Sequence, residues 1–282
     1  MGLNRPPALC CVFAFLLLIT SCSTGPAPPA PGTPQFYWSA AQENYRTADY
    51  IKTSDQLEQL AKSENEFTAR ARPWRVMILS GLAQGYAELA DSFDQGARAS
   101  RTSPTPFRRY VSDYRSMAGR LGLAFAEAFE KLEKSQTEDK VTLAFALPLG
   151  SPTPGATLER VAKGQLPPKA EIEGAQIDAV RRAVLLAACR AAGAPNDTAK
   201  KSEILKTQPA TVGRDVFFKG MAEVLYDLSG LFARLKLDQP ERQTYFLEHA
   251  MEALKPVPES KETKELKKKI ESGMKAAKAK RT

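Results

Sequence analysis

Apolar residues recurring every three or four positions along most of the chain restrict it to packed helices, because only a helix brings such residues onto one face. Between Ala69 and Ser100 the stripe is Trp74, Ile78, Leu82, Tyr86, Leu89 and Phe93. The next segment opens with Thr105-Pro106, read as an N-cap hydroxyl with proline at the first helical position. It continues through Phe107, Tyr110, Val111, Tyr114, Met117, Leu121, Phe125, Phe129 and Leu132. A third stripe runs Val212, Val216, Phe217, Met221, Leu225, Leu228, Leu231, Phe232 and Leu235. It stops at Asp238-Gln239-Pro240-Glu241, where Asp238 is expected to cap a new helix and Glu241 to return the bond as a capping box. A connection of about three residues forces an antiparallel hairpin.

Short helices are expected over Ala156–Gly164 and Thr198–Lys206, and a longer one over Pro168–Ala192 with Gly193 as its stop. The middle breaks the helical period. Val141 to Leu147 alternates with period two and Pro148 to Gly155 is Gly/Pro-rich, so 135–156 reads as a hinge loop between helical hairpins at 36–134 and 157–256. The expected fold class is all-α, built of antiparallel helical hairpins arranged as an α-solenoid or an irregular bundle.

Residues 1–21 do not belong to that fold. Arg5 precedes an apolar run from Ala8 to Thr20, the layout of an export signal. About 13 apolar residues fall short of the roughly 20 that a spanning helix needs. Leu18-Ile19-Thr20-Ser21-Cys22 resembles the lipobox of bacterial lipoproteins. The resemblance implies that Cys22 becomes the first residue of the mature chain and carries covalent lipid, with no other cofactor. Two or more acyl chains suffice for stable anchoring, each buried methylene contributing about 0.8 kcal/mol. Ser23, where an aspartate would resemble an inner-membrane retention signal, points to the outer membrane. Residues 23–35 hold five prolines and read as a tether reaching about 40 Å at 3.1 Å per residue.

Phe36 to Ala61 resembles a tetratricopeptide repeat. Trp38, Ala41 and Tyr45 take the large, small and aromatic positions of the first helix, Asp49-Tyr50 makes the turn, and Ser54, Leu57 and Ala61 fit the second. Leu225 to Pro256 looks like a degenerate second copy, with Phe246, Ala250 and Leu254 ahead of Pro256.

Charge is uneven. The chain carries a formal +8, but residues 255–282 hold ten Lys/Arg against four Glu, so the body is nearly neutral. Residues 257–282 read as a terminal helix docked through Leu266, Ile270 and Met274. Lys267, Lys268 and Lys269 are a possible contact for an anionic surface. Nucleic acid is not an expected partner of an exported chain.

Chemistry is conspicuous mainly by its missing parts. One histidine, His249, cannot supply a paired nucleophile or a two-histidine metal site, so neither a catalytic triad nor a metal centre is expected. Gly81 and Gly85 sit within a helical stripe, where close packing explains them better than a phosphate loop. Ser272-Gly273-Met274-Lys275 has serine-lysine spacing but no companion motifs. Glu127, Glu130 and Asp139 are candidate carboxylates without an evident pairing. Cys189 lies in an alanine-rich helix, as a small buried hydrophobe would. Trp38, Tyr45, Trp74 and Tyr86 either seal the first hairpin onto the second or contact a ligand or partner.

These features point to a membrane-anchored envelope lipoprotein facing the periplasm, without catalysis, acting as a helical-repeat scaffold or adaptor for an envelope protein. The alternative is a ligand-binding or transporter-accessory lipoprotein with a pocket in the helical body.

Overall fold

The computed structural model describes residues 28–146, 153–194 and 209–278. Thr33 Oγ1 accepts the Phe36 N–H at 3.2 Å and Pro34 fills the first helical position. Helix α1 (Pro34–Arg46) therefore takes Pro34 and Gln35 from the stretch read as tether. Asp49 caps α2 (Tyr50–Ala61) by accepting the Lys52 N–H at 3.2 Å.

Helix α3 (Thr68–Ala99) is the organising element, with 32 residues that extend about 48 Å at 1.5 Å per residue. All six members of its predicted stripe are buried, and so are Val76, Met77, Leu79, Ala83 and Ala90 on other faces. The extra burial follows from its neighbours: α2, α4 (Thr105–Ser135), α5 (Ala156–Ala162) and α6 (Lys169–Ala191) all pack on it. Phe93 touches Phe107 and Tyr110 while Tyr86 meets Tyr114, so α3 and α4 run antiparallel.

Close approach on the opposite side requires glycine. A Cβ on Gly81 would stand 2.6 Å from Val184 Cα, and one on Gly85 would stand 3.0 Å from Val180 Cα. Helix packing thus accounts for both glycines. Gly193, at φ +71°, then ends α6 in the left-handed conformation that a side chain would strain.

The period-two segment forms β1 (Lys140–Leu143), which pairs antiparallel with β2 (Ala210–Gly213) and sets Val141 opposite Val212. Arg214 N–H donates to Asp139 O at 2.8 Å and extends this ribbon into α7 (Arg214–Ser229). Beyond β1 the chain turns back onto the first hairpin. Phe145 is 1% exposed beside Trp74, and Tyr45 Oη donates to Ala146 O at 2.8 Å. The segment read as a hinge is thereby joined both to the first hairpin and to the start of α7.

Several local expectations are corrected. Val212 lies in β2, because the extended β-branched pair Thr211-Val212 is followed by Gly213 and the helix starts only at Arg214. Leu235 is 86% exposed, beyond the 3₁₀ turn Gly230–Phe232 that ends the hydrophobic stripe. The capping box does not form. Asp238 adopts φ +50°, Gln239 is the cap residue but its side chain caps no backbone N–H, and α8 begins at Pro240. The connection of residues 233–239 is longer than expected and is closed by backbone, Leu237 N–H to Leu231 O at 3.1 Å and Gln239 N–H to Phe232 O at 2.9 Å. Thr105 likewise is the first residue of α4, not its cap, and no side chain caps that helix.

The hairpin of α7 with α8 (Pro240–Ala253) seats on α4 through Phe129 against Phe218, and through Phe246 and Leu228 facing Gly122. Terminal helix α9 (Lys261–Lys278) docks on α8 with Leu266 and Ile270 buried and Gly273 facing Leu247. The architecture is all-α, an assembly of helical hairpins, and a two-stranded ribbon is the only sheet among the described residues. No described helix is long and apolar enough to cross a membrane.

Candidate functional site

The predicted contact residues divide into two places. Trp38, Tyr45 and Trp74 come together. The Trp38 ring centroid is 5.4 Å from that of Trp74, Tyr45 is 5.3 Å from Trp74, and Trp38 also stacks on Phe67 at 5.0 Å. Trp74 is 1% exposed, so this cluster seals α1 and α2 onto α3 and presents little ring surface to a ligand. Burial raises the Tyr45 phenol well above its ordinary range, and the protonated hydroxyl is the form that donates to Ala146.

Tyr86 lies apart. Its hydroxyl accepts from Gln176 Nε2 at 3.2 Å, and the same amide's oxygen accepts from Tyr114 Oη at 3.3 Å. These bonds brace α3, α4 and α6 beneath a groove of about 280 Å³, lined by Tyr86, Ile51, Ile177, Val180, Asp49 and Arg181. Ile51 and Ile177 are 42% and 51% exposed there. The turn leading into this groove places Ala48 at φ +62°, a conformation that a side chain disfavours.

A larger cleft lies elsewhere, has a volume of about 720 Å³, and is charged. Helical spacing builds two of its walls. On α4, Glu130, Glu133 and Lys134 lie within four residues, and on α8 the same holds for Glu248, His249 and Glu252. Arg214, at the start of α7, closes a third side, and Lys255 follows α8. His249 Nδ1 lies 2.9 Å from Tyr245 O, which fixes the proton on Nδ1 and turns Nε2 toward Glu130 Oε2 at 3.7 Å.

The charges around this cleft are unequally matched. Lys134 Nζ bonds Glu130 at 2.6 Å and holds that carboxyl below its ordinary pKa. Lys255 Nζ meets Glu252 Oε2 at 2.6 Å. Glu133 is half-buried and has no such donor. Burial first, and then repulsion from Glu252, push its pKa up, partly offset by His249, Arg214 and Lys255. Arg214 lies over the Phe218 ring at 5.0 Å, with a buried Nε that has no hydrogen-bond partner.

Sequence reasoning named His249 and Glu130 but not their meeting, and it missed Glu133, Glu252, Arg214, Ile51 and Ile177. The recurrence of Glu and Lys at three and four residues on α4 and α8 is the only signal, and it is also that of an ordinary solvated face. Glu127 and Asp139 are exposed outside the cleft. Cys189 is 1% exposed, inside α6. Ser272 and Lys275 are exposed on α9, as are Lys268 and Lys269, whereas Lys267 pairs with Glu259 at 2.6 Å. Cys22 and the predicted helix over Thr198–Lys206 lie outside the described residues. Among the described residues no three His, Cys, Asp or Glu side chains are placed to hold a metal ion.

The chain was compared with protein-family models, curated proteins and solved structures, and none of them matches it.

Proposed function

We propose that this chain is a lipid-anchored protein of the bacterial envelope whose helical body is a non-catalytic adaptor for another envelope protein. Cys22 carries the lipid, the proline-rich segment holds the body off the membrane on its periplasmic side, and the outer membrane is the expected site. The tetratricopeptide-like reading of the first hairpin is supported by the burial of Ala41, Tyr45, Ser54 and Leu57 between α1, α2 and their neighbours. Lys268 and Lys269 remain available for an anionic surface.

The observation that carries the adaptor role is the Ile51–Ile177 groove. Two large aliphatic side chains lie open to solvent there, beside Asp49 and Arg181, and an apolar centre with a polar rim suits a protein contact. The test is crosslinking in intact cells with the tagged wild type, an Ile51→Glu/Ile177→Glu variant and a Cys22→Ala variant. One reproducible envelope protein should crosslink to the wild type and be lost from the double glutamate variant. Cys22→Ala should release folded protein from the membrane fraction. Unchanged crosslinks in the glutamate variant would refute the groove, and membrane retention of the processed Cys22→Ala protein would refute the anchor.

The charged cleft favours a second reading, a ligand-binding or transporter-accessory lipoprotein with a pocket in the helical body. Its volume falls in the range of small-molecule sites, roughly 300 to 1,000 Å³.

A further inference from the structure

The cleft between α4, α7 and α8 holds two opposite charges that lie in each other's field without forming an ion pair. Glu133 and Arg214 both line it, yet neither side chain makes an ion pair or hydrogen bond with another described residue. Both are partly withdrawn from water. A carboxylate or guanidinium removed from water without a partner is costly, so each position favours an occupant that brings the missing charge. Neither group is simply free to swing to the other. Arg214 is held against Phe218, and its own backbone N–H is engaged by Asp139. Glu133 sits on α4 in the field of Glu252, so its wall of the cleft is net negative despite Lys255.

We propose that this cleft binds a short zwitterionic peptide, its α-ammonium against Glu133 and Glu252 and its carboxylate on the Arg214 guanidinium. The two charged ends of the ligand match the two signs of charge that line the cleft. An ammonium is a three-donor group suited to two carboxylates, while a carboxylate suits the guanidinium fork. The volume of about 720 Å³ exceeds the needs of a single amino acid and leaves room for a few residues. His249, with Nε2 turned into the cleft toward Glu130, supplies an acceptor for a peptide N–H in its neutral form. This inference rests on the ligand-binding reading and is independent of the Ile51–Ile177 groove, with which the cleft shares no lining residue.

The test is titration calorimetry of the full-length protein in detergent with trialanine, N-acetyl-trialanine, trialanine amide and O-phosphoethanolamine. Trialanine should bind, and blocking either end should weaken binding at least tenfold. Glu133→Gln should weaken trialanine at least tenfold yet leave the residual binding of N-acetyl-trialanine unchanged. Arg214→Met should show the matching pattern with the amide. That pairing separates direct contact from a general loss of structure, which would lower all peptides together. Circular dichroism checks the folding of each variant, and Arg214→Lys, which keeps the charge, should recover part of the affinity. Binding of O-phosphoethanolamine without trialanine would overturn the peptide assignment while keeping a ligand cleft. Absence of heat with either compound at millimolar concentration would overturn the ligand-binding reading as well.

Discussion

The two ends of this molecule use their conspicuous side chains in opposite ways. At the first hairpin, Trp38, Tyr45 and Trp74 are packed against one another and against Phe67 and Phe145. Beside the second, Glu133 and Arg214 line a charged cleft without forming an ion pair or side-chain hydrogen bond with another described residue. Dense aromatics in the sequence mark where the fold is sealed. Charges that the fold leaves unmatched mark where it can still bind something, because packed rings gain little from a ligand and an unmatched charge gains much.

The largest effect should come from the seal. Trp74→Ala removes the ring that joins α1, α3 and Phe145, and should cost about 3–5 kcal/mol in denaturant unfolding. If the loss were under 1 kcal/mol, the cluster would not be structural. Gly81→Ala should follow at about 1–3 kcal/mol, since its Cβ would meet Val184 Cα at 2.6 Å and α6 must shift. In this background Gly174→Ala, where the new Cβ meets nothing within 4 Å, should be neutral or stabilising.

The cleft should respond in the other direction and more weakly. Folding raises the pKa of Glu133, so the folded state binds more protons than the unfolded chain just above the ordinary carboxylate range. That term lowers stability as pH rises through this window and is absent at lower pH, where Glu133 is protonated in both states. Glu133→Gln should therefore raise the melting temperature at pH 7 by about 1–2 °C, given solvent screening, and leave it unchanged near pH 3. A loss of stability at pH 7 would mean that Glu133 has a favourable partner. Smallest of all, Leu235→Ser should change stability by less than about 0.5 kcal/mol, because the side chain is already 86% exposed.

Helix periodicity made α3, α4 and α6 legible, because their apolar positions recur over many turns and their ends carry Gly193 or a Pro-containing start. It failed where the signal was short. Val212 falls in step with the stripe that follows it, yet its pairing with Val141 lies at the far side of the sequence interval and no local pattern encodes that ribbon. The loop at 233–239 closes through backbone bonds, which side-chain capping rules do not anticipate. The cleft was illegible for a related reason. Glu133, Arg214 and Glu252 come from three helices, and what distinguishes Glu133 and Arg214 from ordinary surface charges is the absence of an ion-pair partner, a property only the packed arrangement has. His249 was visible as a lone histidine, but its approach to Glu130 at 3.7 Å depends on α8 lying beside α4.

Hydrogen–deuterium exchange of the full-length protein, with and without trialanine, tests most directly whether the unmatched charges and not the aromatic cluster are the binding surface. The predicted result is added protection confined to residues 130–134, the start of α7 near Arg214 and residues 248–255, with none over α1 and α2. Protection centred on Trp38 to Tyr50 and absent from the cleft would contradict it.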